Sequence, residues 1–416
     1  MERELIKRLT AALAEMPLID PHTHINPHQP AAQTIDDLLG YHYYTELAHS
    51  VGMPHAPLHA SFDPLERTRT ILRHSQHYEN TVQWSWFIEL CQTFFGWESD
   101  RIVENDADCL RKSAQEKCSQ PNWSEQVLKR SNIEKVFLTN DFDDPLTGFD
   151  KSLYVPCLRT DDLVFKLNEP TVHQRLLKAT GTDVVDAKSL NKALDRLFVH
   201  FKKNGAKACA ISLPPHFEPS PVSDQELTAA MKHKETEVIA RGTFWHIAEH
   251  CREHRLPFDL MVGVNRRVYE NGVFQGQDLF DQRTSLIQYA RLFNAFPTVP
   301  FCISVLSSKQ NQELASYSWI FPNVVTSGHW WYSNVPCLIE QDLAMRLQVV
   351  PMTKQIGYYS DAYKLEFVLP KFNMYRHILA RLLTQHYVFD RQWSEERAVS
   401  LGQQLLRRNV ESLFIN

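Results

Sequence analysis

No stretch of this chain carries enough consecutive apolar residues to span a bilayer as a helix. The opening segment, MERELIKRLTAALAEM, interrupts its apolar positions with charges at helical spacing. It therefore lacks the hydrophobic centre of a signal peptide and is expected to form a helix leading into the first strand. Excess positive charge is also missing: 44 Lys and Arg against 49 Asp and Glu leave a net −5, which argues against a nucleic-acid or anionic-membrane partner. There is no CxxC pair. The eight cysteines are scattered at 91, 109, 118, 157, 209, 251, 302 and 337, several of them inside strand or helix patterns, as core cysteines are. That usage fits a reducing cytoplasm better than a disulfide framework. Internal repeats, low-complexity tracts and Gly/Ser linkers are absent as well. What is present is 416 residues, 43% apolar and 22% charged, a balance suited to one large-cored domain over residues 1–416.

The most informative stretch is Pro17 to Asn26. Pro17-Leu18-Ile19 has the apolar character of a short buried strand, and it ends in Asp20-Pro21-His22-Thr23-His24. Side chains alternate along an extended backbone, so His22 and His24 point the same way. Two neutral imidazoles side by side at a strand end can grip one borderline-soft cation, which suits zinc first, then iron, nickel or manganese. The competing reading is a pair of solvated turn histidines.

From about residue 29 to 130 the chain is rich in His, Trp, Phe and Tyr and helical in pattern, as in YHYYTELAHSVGM and ENTVQWSWFIELCQTFFGW. We read this as a helical insertion after the first strand. A strand–helix rhythm then begins, with strand-like runs at 133–140, 154–159, 206–213, 258–264, 299–305, 324–326 and 356–360. Helical patterns lie between most of them, including one long run from about 223 to 253. Alternating strands and helices imply parallel strands with right-handed crossovers. Eight such units predict a closed (β/α)8 barrel whose site lies at the strands' C-terminal ends.

The residues that follow the strands would converge there: His22 and His24, Arg159 and Asp161, His216, Arg266, His329 with Trp330 and Trp331, and Asp361. Barrel closure puts the last strand beside the first, so Asp361 is expected near His22 and His24. A carboxylate in that place can ligate a metal or take a proton from a hydroxyl or water. It could also cap a helix in SDAYKLEF. Arg159 and Arg266 suit an anionic substrate through paired donors, the alternative being surface ion pairs. His329, Trp330 and Trp331 offer flat apolar faces beside a polar tip for a sugar, or plain packing. His216 is a candidate third histidine ligand.

Taken in order, DPHTHINP, YHYYTELAHSVGM, YVPCLRTDDL, MVGVNRR, SGHWWYSN and YYSDAYKLEF resemble six segments of the uronate isomerase (glucuronate isomerase) family, within the amidohydrolase superfamily. The resemblance spans nearly the whole chain. It implies His22, His24 and Asp361 at a metal site, with Asp361 also catalytic. It sets Tyr43 on the family's active-site tyrosine, and Arg159, Arg266, Trp330 and Trp331 on substrate-contact positions. The implied activity is aldose–ketose interconversion of a small sugar acid, glucuronate to fructuronate or galacturonate to tagaturonate. One divalent metal ion, zinc by preference, would serve, and the resemblance leaves a homo-oligomer open. Three positions depart from the family pattern: Met261 stands where the family has His, and Glu46 and Tyr363 where it has Arg. Those departures keep two further readings in play, a metal-dependent hydrolase of an amide, ester or lactone, and a silent binding protein.

Overall fold

The computed structural model describes residues 2–59, 61–273 and 276–415. Eight parallel strands carry the architecture: β1 (Leu18–Asp20), β2 (Ile133–Phe137, continued at Asn140–Asp141), β3 (Tyr154–Val155 and Cys157–Arg159), β4 (Ala208–Leu213), β5 (Phe258–Val262), β6 (Phe301–Val305), β7 (Val324–Ser327) and β8 (Gln355–Ile356). They pair in that order from β1 to β8, every ladder parallel. β3 is broken at Pro156, which has no amide hydrogen to give to a ladder. β5 and β6 are buried at every position, as central parallel strands covered on both faces must be.

The two ends of the run meet without a regular ladder. Asp361 N–H donates to the His22 carbonyl at 3.1 Å, and His24 N–H donates to the Ala362 carbonyl at 2.8 Å. Ile19, Phe137, Cys157, Ala208, Cys302, Val325 and Ile356 form one central cluster, so seven of the eight strands send a side chain to a common interior. Val410 and Phe414 from the C-terminal segment join the same cluster, the Phe414 ring 5.4 Å from that of Phe137. The barrel is thereby filled, and the site is left at the opposite, C-terminal rim of the strands.

The outer helices read as their sequences suggest. Asp186 caps Ala187–Lys203 by accepting from Ser189 N–H at 2.7 Å, and Leu190, Ala193, Leu194, Leu197 and Phe201 make its buried stripe. The long helical run expected from 223 to 253 is instead two helices, Asp224–His233 and Thr236–His254, because Lys234 turns into the left-handed region (φ 58°) and stops the first one. Between β1 and β2 lie the helices Ile35–Leu39, His42–Ser50, Pro64–Ser75, Val82–Phe95, Ala107–Cys118 and Trp123–Arg130, the insertion expected after the first strand. Ala60 lies outside the described residues. Buried Glu366 anchors this insertion, accepting from Trp123 Nε1 at 2.8 Å and from the Ala32 amide at 2.9 Å. Among the described residues no helix is long and apolar enough to cross a membrane.

Candidate metal centre and adjoining cavity

His22 and His24 leave the end of β1 and meet Asp361, which follows β8. Asp361 Oδ1 lies 3.5 Å from His22 Nε2 and 3.2 Å from His24 Nε2. All three ligand atoms fall within 4.8 Å of one another, and His22 and Asp361 are buried. Among the described residues neither His22 Nε2 nor Asp361 Oδ1 has a hydrogen-bond partner, an expensive arrangement for buried polar atoms unless something binds between them. The tautomer of His24 agrees. Thr139 donates its hydroxyl hydrogen to the Thr23 carbonyl at 3.1 Å, so at 2.7 Å from His24 Nδ1 it can only accept. Nδ1 therefore carries the proton, and Nε2 presents a lone pair towards Asp361. Burial lowers the His24 imidazole, which favours the neutral ligand form. Two neutral imidazoles and an ionised carboxylate make a donor set that fits a divalent ion.

A cavity of about 130 Å³ opens on this centre, lined by His24, His42, Arg159, Ser212, Met261, Arg266, Asp278, Trp330, Trp331, Asp361 and Tyr363. Both cavity arginines already have acidic partners. Arg159 Nε is 3.3 Å from Asp161 Oδ2, and Arg266 Nη1 is 2.6 Å from Asp278 Oδ2. Tyr363 stacks on His24 with ring centroids 4.9 Å apart. Trp331 stacks on Tyr332 at 5.0 Å. The chain passes Tyr359 only because residue 328 is glycine (φ 38°): a Cβ there would come within 2.3 Å of the Tyr359 ring.

Tyr43, His329 and His216, expected at the site, are not among the residues that line the cavity. Tyr43 is buried among aromatic rings, 4.9 Å from Tyr41 and 6.4 Å from Trp86, with its phenol raised well above its ordinary value by burial. The wall instead receives the preceding residue, His42, whose Nδ1 is buried and unpartnered and whose imidazole burial lowers to about 3. Successive residues of a helix point about 100° apart, so one position decides which side chain faces the site. His329 is fully buried, its ring 5.9 Å from that of Tyr375. His216 is exposed and outside the His22, His24, Asp361 group. Met261, on β5, does line the cavity, whereas Glu46 does not. The Glu46 carboxyl is pushed up to about 8, chiefly by burial and further by Asp278, and its Oε1 has no partner among the described residues.

Comparison with known proteins shows the family and the fold. The glucuronate isomerase family model matches residues 1–414. The uronate isomerase of Corynebacterium efficiens is 21% identical over 438 residues, covering 94% of this chain and 92% of its own length. The solved uronate isomerase of Thermotoga maritima superposes with a TM-score of 0.90 at 18% identity, covering 99% of this chain and 97% of its own. The glucuronate isomerase of Caulobacter crescentus gives a TM-score of 0.90 at 18% identity, covering 99% and 94%. The chain belongs to the glucuronate isomerase family.

Proposed function

We propose that this enzyme interconverts the aldose and ketose forms of a uronic acid, glucuronate with fructuronate or galacturonate with tagaturonate, in the cavity beside Asp361. The observation that carries the reading is the convergence of His22 Nε2, His24 Nε2 and Asp361 Oδ1, of which His24 and Asp361 line a cavity that also holds two arginines. A single zinc ion held by those three residues would supply positive charge to substrate oxygens.

The reaction moves a proton between adjacent carbons. C2 of the open-chain aldose loses its hydrogen while the C1 carbonyl oxygen gains one, giving an enediol. The O2 hydroxyl then loses its proton as C1 gains one, and the ketose results. Asp361, which lines the cavity with its Oδ1 unpartnered among the described residues, is placed to carry the hydroxyl proton. His42 lines the cavity with a neutral imidazole whose buried Nδ1 has no partner among the described residues, and in this reading it takes the place the sequence assigned to Tyr43. Arg159 and Arg266 would receive the carboxylate through paired donors, in competition with Asp161 and Asp278. Trp330 and Trp331 present apolar faces for the C–H edges of the sugar. A hydrolase is disfavoured by the family assignment, and Met261 adds no further donor at the end of β5. The eight cysteines are all free, which supports a reducing compartment such as the cytoplasm.

The test is turnover. Purified chain supplied with zinc should convert glucuronate or galacturonate to the matching ketose, followed by proton NMR. Both sugars left unchanged while a lactone or amide is cleaved would remove the isomerase reading.

A further inference from the structure

Lys371 is a charged residue with no accessible surface, on the helix Val368–Leu383 that follows the barrel's last strand. It does not line the cavity. Its ammonium lies 5.1 Å from the centre of the Tyr41 ring, 5.4 Å from Tyr43 and 4.9 Å from Trp86, so an aromatic box replaces part of its hydration. Its hydrogen bonds go to two acceptors, the Ser360 carbonyl at 2.9 Å and the Tyr41 hydroxyl at 3.1 Å. Tyr41 passes the link on, donating its own hydrogen to the Asp361 carbonyl at 3.1 Å.

The backbone it reaches is the one that aims the carboxylate ligand. Asp361 sits in the left-handed region (φ 54°), where a residue other than glycine is uncommon and costs free energy unless its surroundings hold it. The Asp361 amide is fixed by the His22 carbonyl at 3.1 Å, and the Ser360 amide by Asp20 Oδ1 at 3.0 Å. That leaves the carbonyls of Ser360 and Asp361, and these are the two groups that Lys371 and Tyr41 hold. Burying a lysine strips its ammonium of hydration at a large cost, so a packing role alone is poorly served by it.

We propose that Lys371 is a positioning residue of the metal centre: through the Ser360 carbonyl and the Tyr41 hydroxyl it holds Asp361 in the left-handed turn that aims its carboxylate at His22 and His24. The inference rests on the metal-site reading above and adds a residue that touches neither ion nor substrate.

The sign of the effect separates this from plain electrostatics. Removing a positive charge near a bound cation should tighten the cation by relieving repulsion. Removing a positioning residue should loosen it, by the 10–100-fold typical of groups that orient a ligand from behind. The experiment is competition of the full-length protein with a chromophoric chelator for Zn(II), run well below the melting temperature of every variant. Lys371→Met keeps the stem inside the aromatic box, and Tyr41→Phe keeps the ring while removing only the hydroxyl. Weaker zinc binding is expected in both, by 10–100-fold for Lys371→Met and several-fold for Tyr41→Phe, with kcat on glucuronate falling and KM held. Unchanged or tighter zinc binding in folded Lys371→Met overturns the proposal. Should that variant not fold, Tyr41→Phe decides in the same way, and it carries no change of charge. If the wild-type protein itself fails to bind zinc, the metal-site reading falls and this inference with it; if wild type binds and the variants bind equally well, only the inference falls.

Discussion

The two sides of the cavity are built differently. On the β1–β8 side the functional groups are buried: His22 and Asp361 expose 5% and 6% of their surface, and a buried network behind them runs through Asp20, Ser360, Tyr41 and Lys371. On the opposite side Arg159 and Arg266 leave 38% and 49% of their side chains exposed, and each is held by a nearby carboxylate. Exposed pairs of this kind exchange partners at a cost of only about 0–1 kcal/mol, whereas buried polar groups are costly to disturb. The side of His22 and Asp361 is therefore rigid and the arginine side adaptable. Two of the three departures from the family pattern, Met261 and Tyr363, sit on the cavity wall rather than among the ligands.

The hardest break of that contrast is Asp361→Asn. It keeps shape but removes the charge proposed to bind the ion and take the hydroxyl proton, so turnover should fall by about 10³-fold or more in steady-state assays while the melting curve stays cooperative. Arg159→Met, on the adaptable side, should weaken the acidic substrate by roughly 1.5–3 kcal/mol, read mainly as a raised KM.

A third change tests the wall from behind. The Glu46 carboxyl is raised to about 8 in the folded chain, against about 4.3 unfolded, so the folded state binds more protons between those values. Its stabilising contribution is full below the unfolded value and is lost as pH rises towards 8. Stability measured by denaturant midpoint should thus decline over that window by up to about 1.4 kcal/mol per pH unit, and Glu46→Gln should flatten the decline. The smallest effect is expected for Asp278→Asn. Freeing Arg266 from its partner should improve uronate binding by about 0.5–1 kcal/mol, seen as a lower KM in the same assay.

The difference between the two sides also governs what could be read from the sequence. His22 and His24 stand in an HxH pattern at a strand end, and Asp361 followed from the closure of eight strands, so local pattern and topology together were enough. The remaining ladders were visible as apolar runs. What escaped depended on backbone detail or on distant contacts. Tyr43 and His42 differ by one helical step. His329 turns away beyond Gly328, whose left-handed backbone no periodicity reveals. Lys371 and Tyr41 are joined across 330 residues. A lysine set in the apolar run FVLPKFNMY was a signal for the buried cation, but its partners could not be read without the fold. The break at Lys234 was hidden because lysine is an ordinary helix residue whose left-handed φ is set by the fold.

The central claim is that one ion, held by His22, His24 and Asp361, makes this cavity an isomerase site. The direct measurement is initial rate of glucuronate or galacturonate conversion against zinc added back to chelator-stripped protein, with Asp361→Asn alongside. The account expects no turnover at zero zinc, a linear rise that breaks at one equivalent per chain, and a flat baseline for the variant. Full turnover by the stripped protein, or a rise that continues to two equivalents, would contradict it.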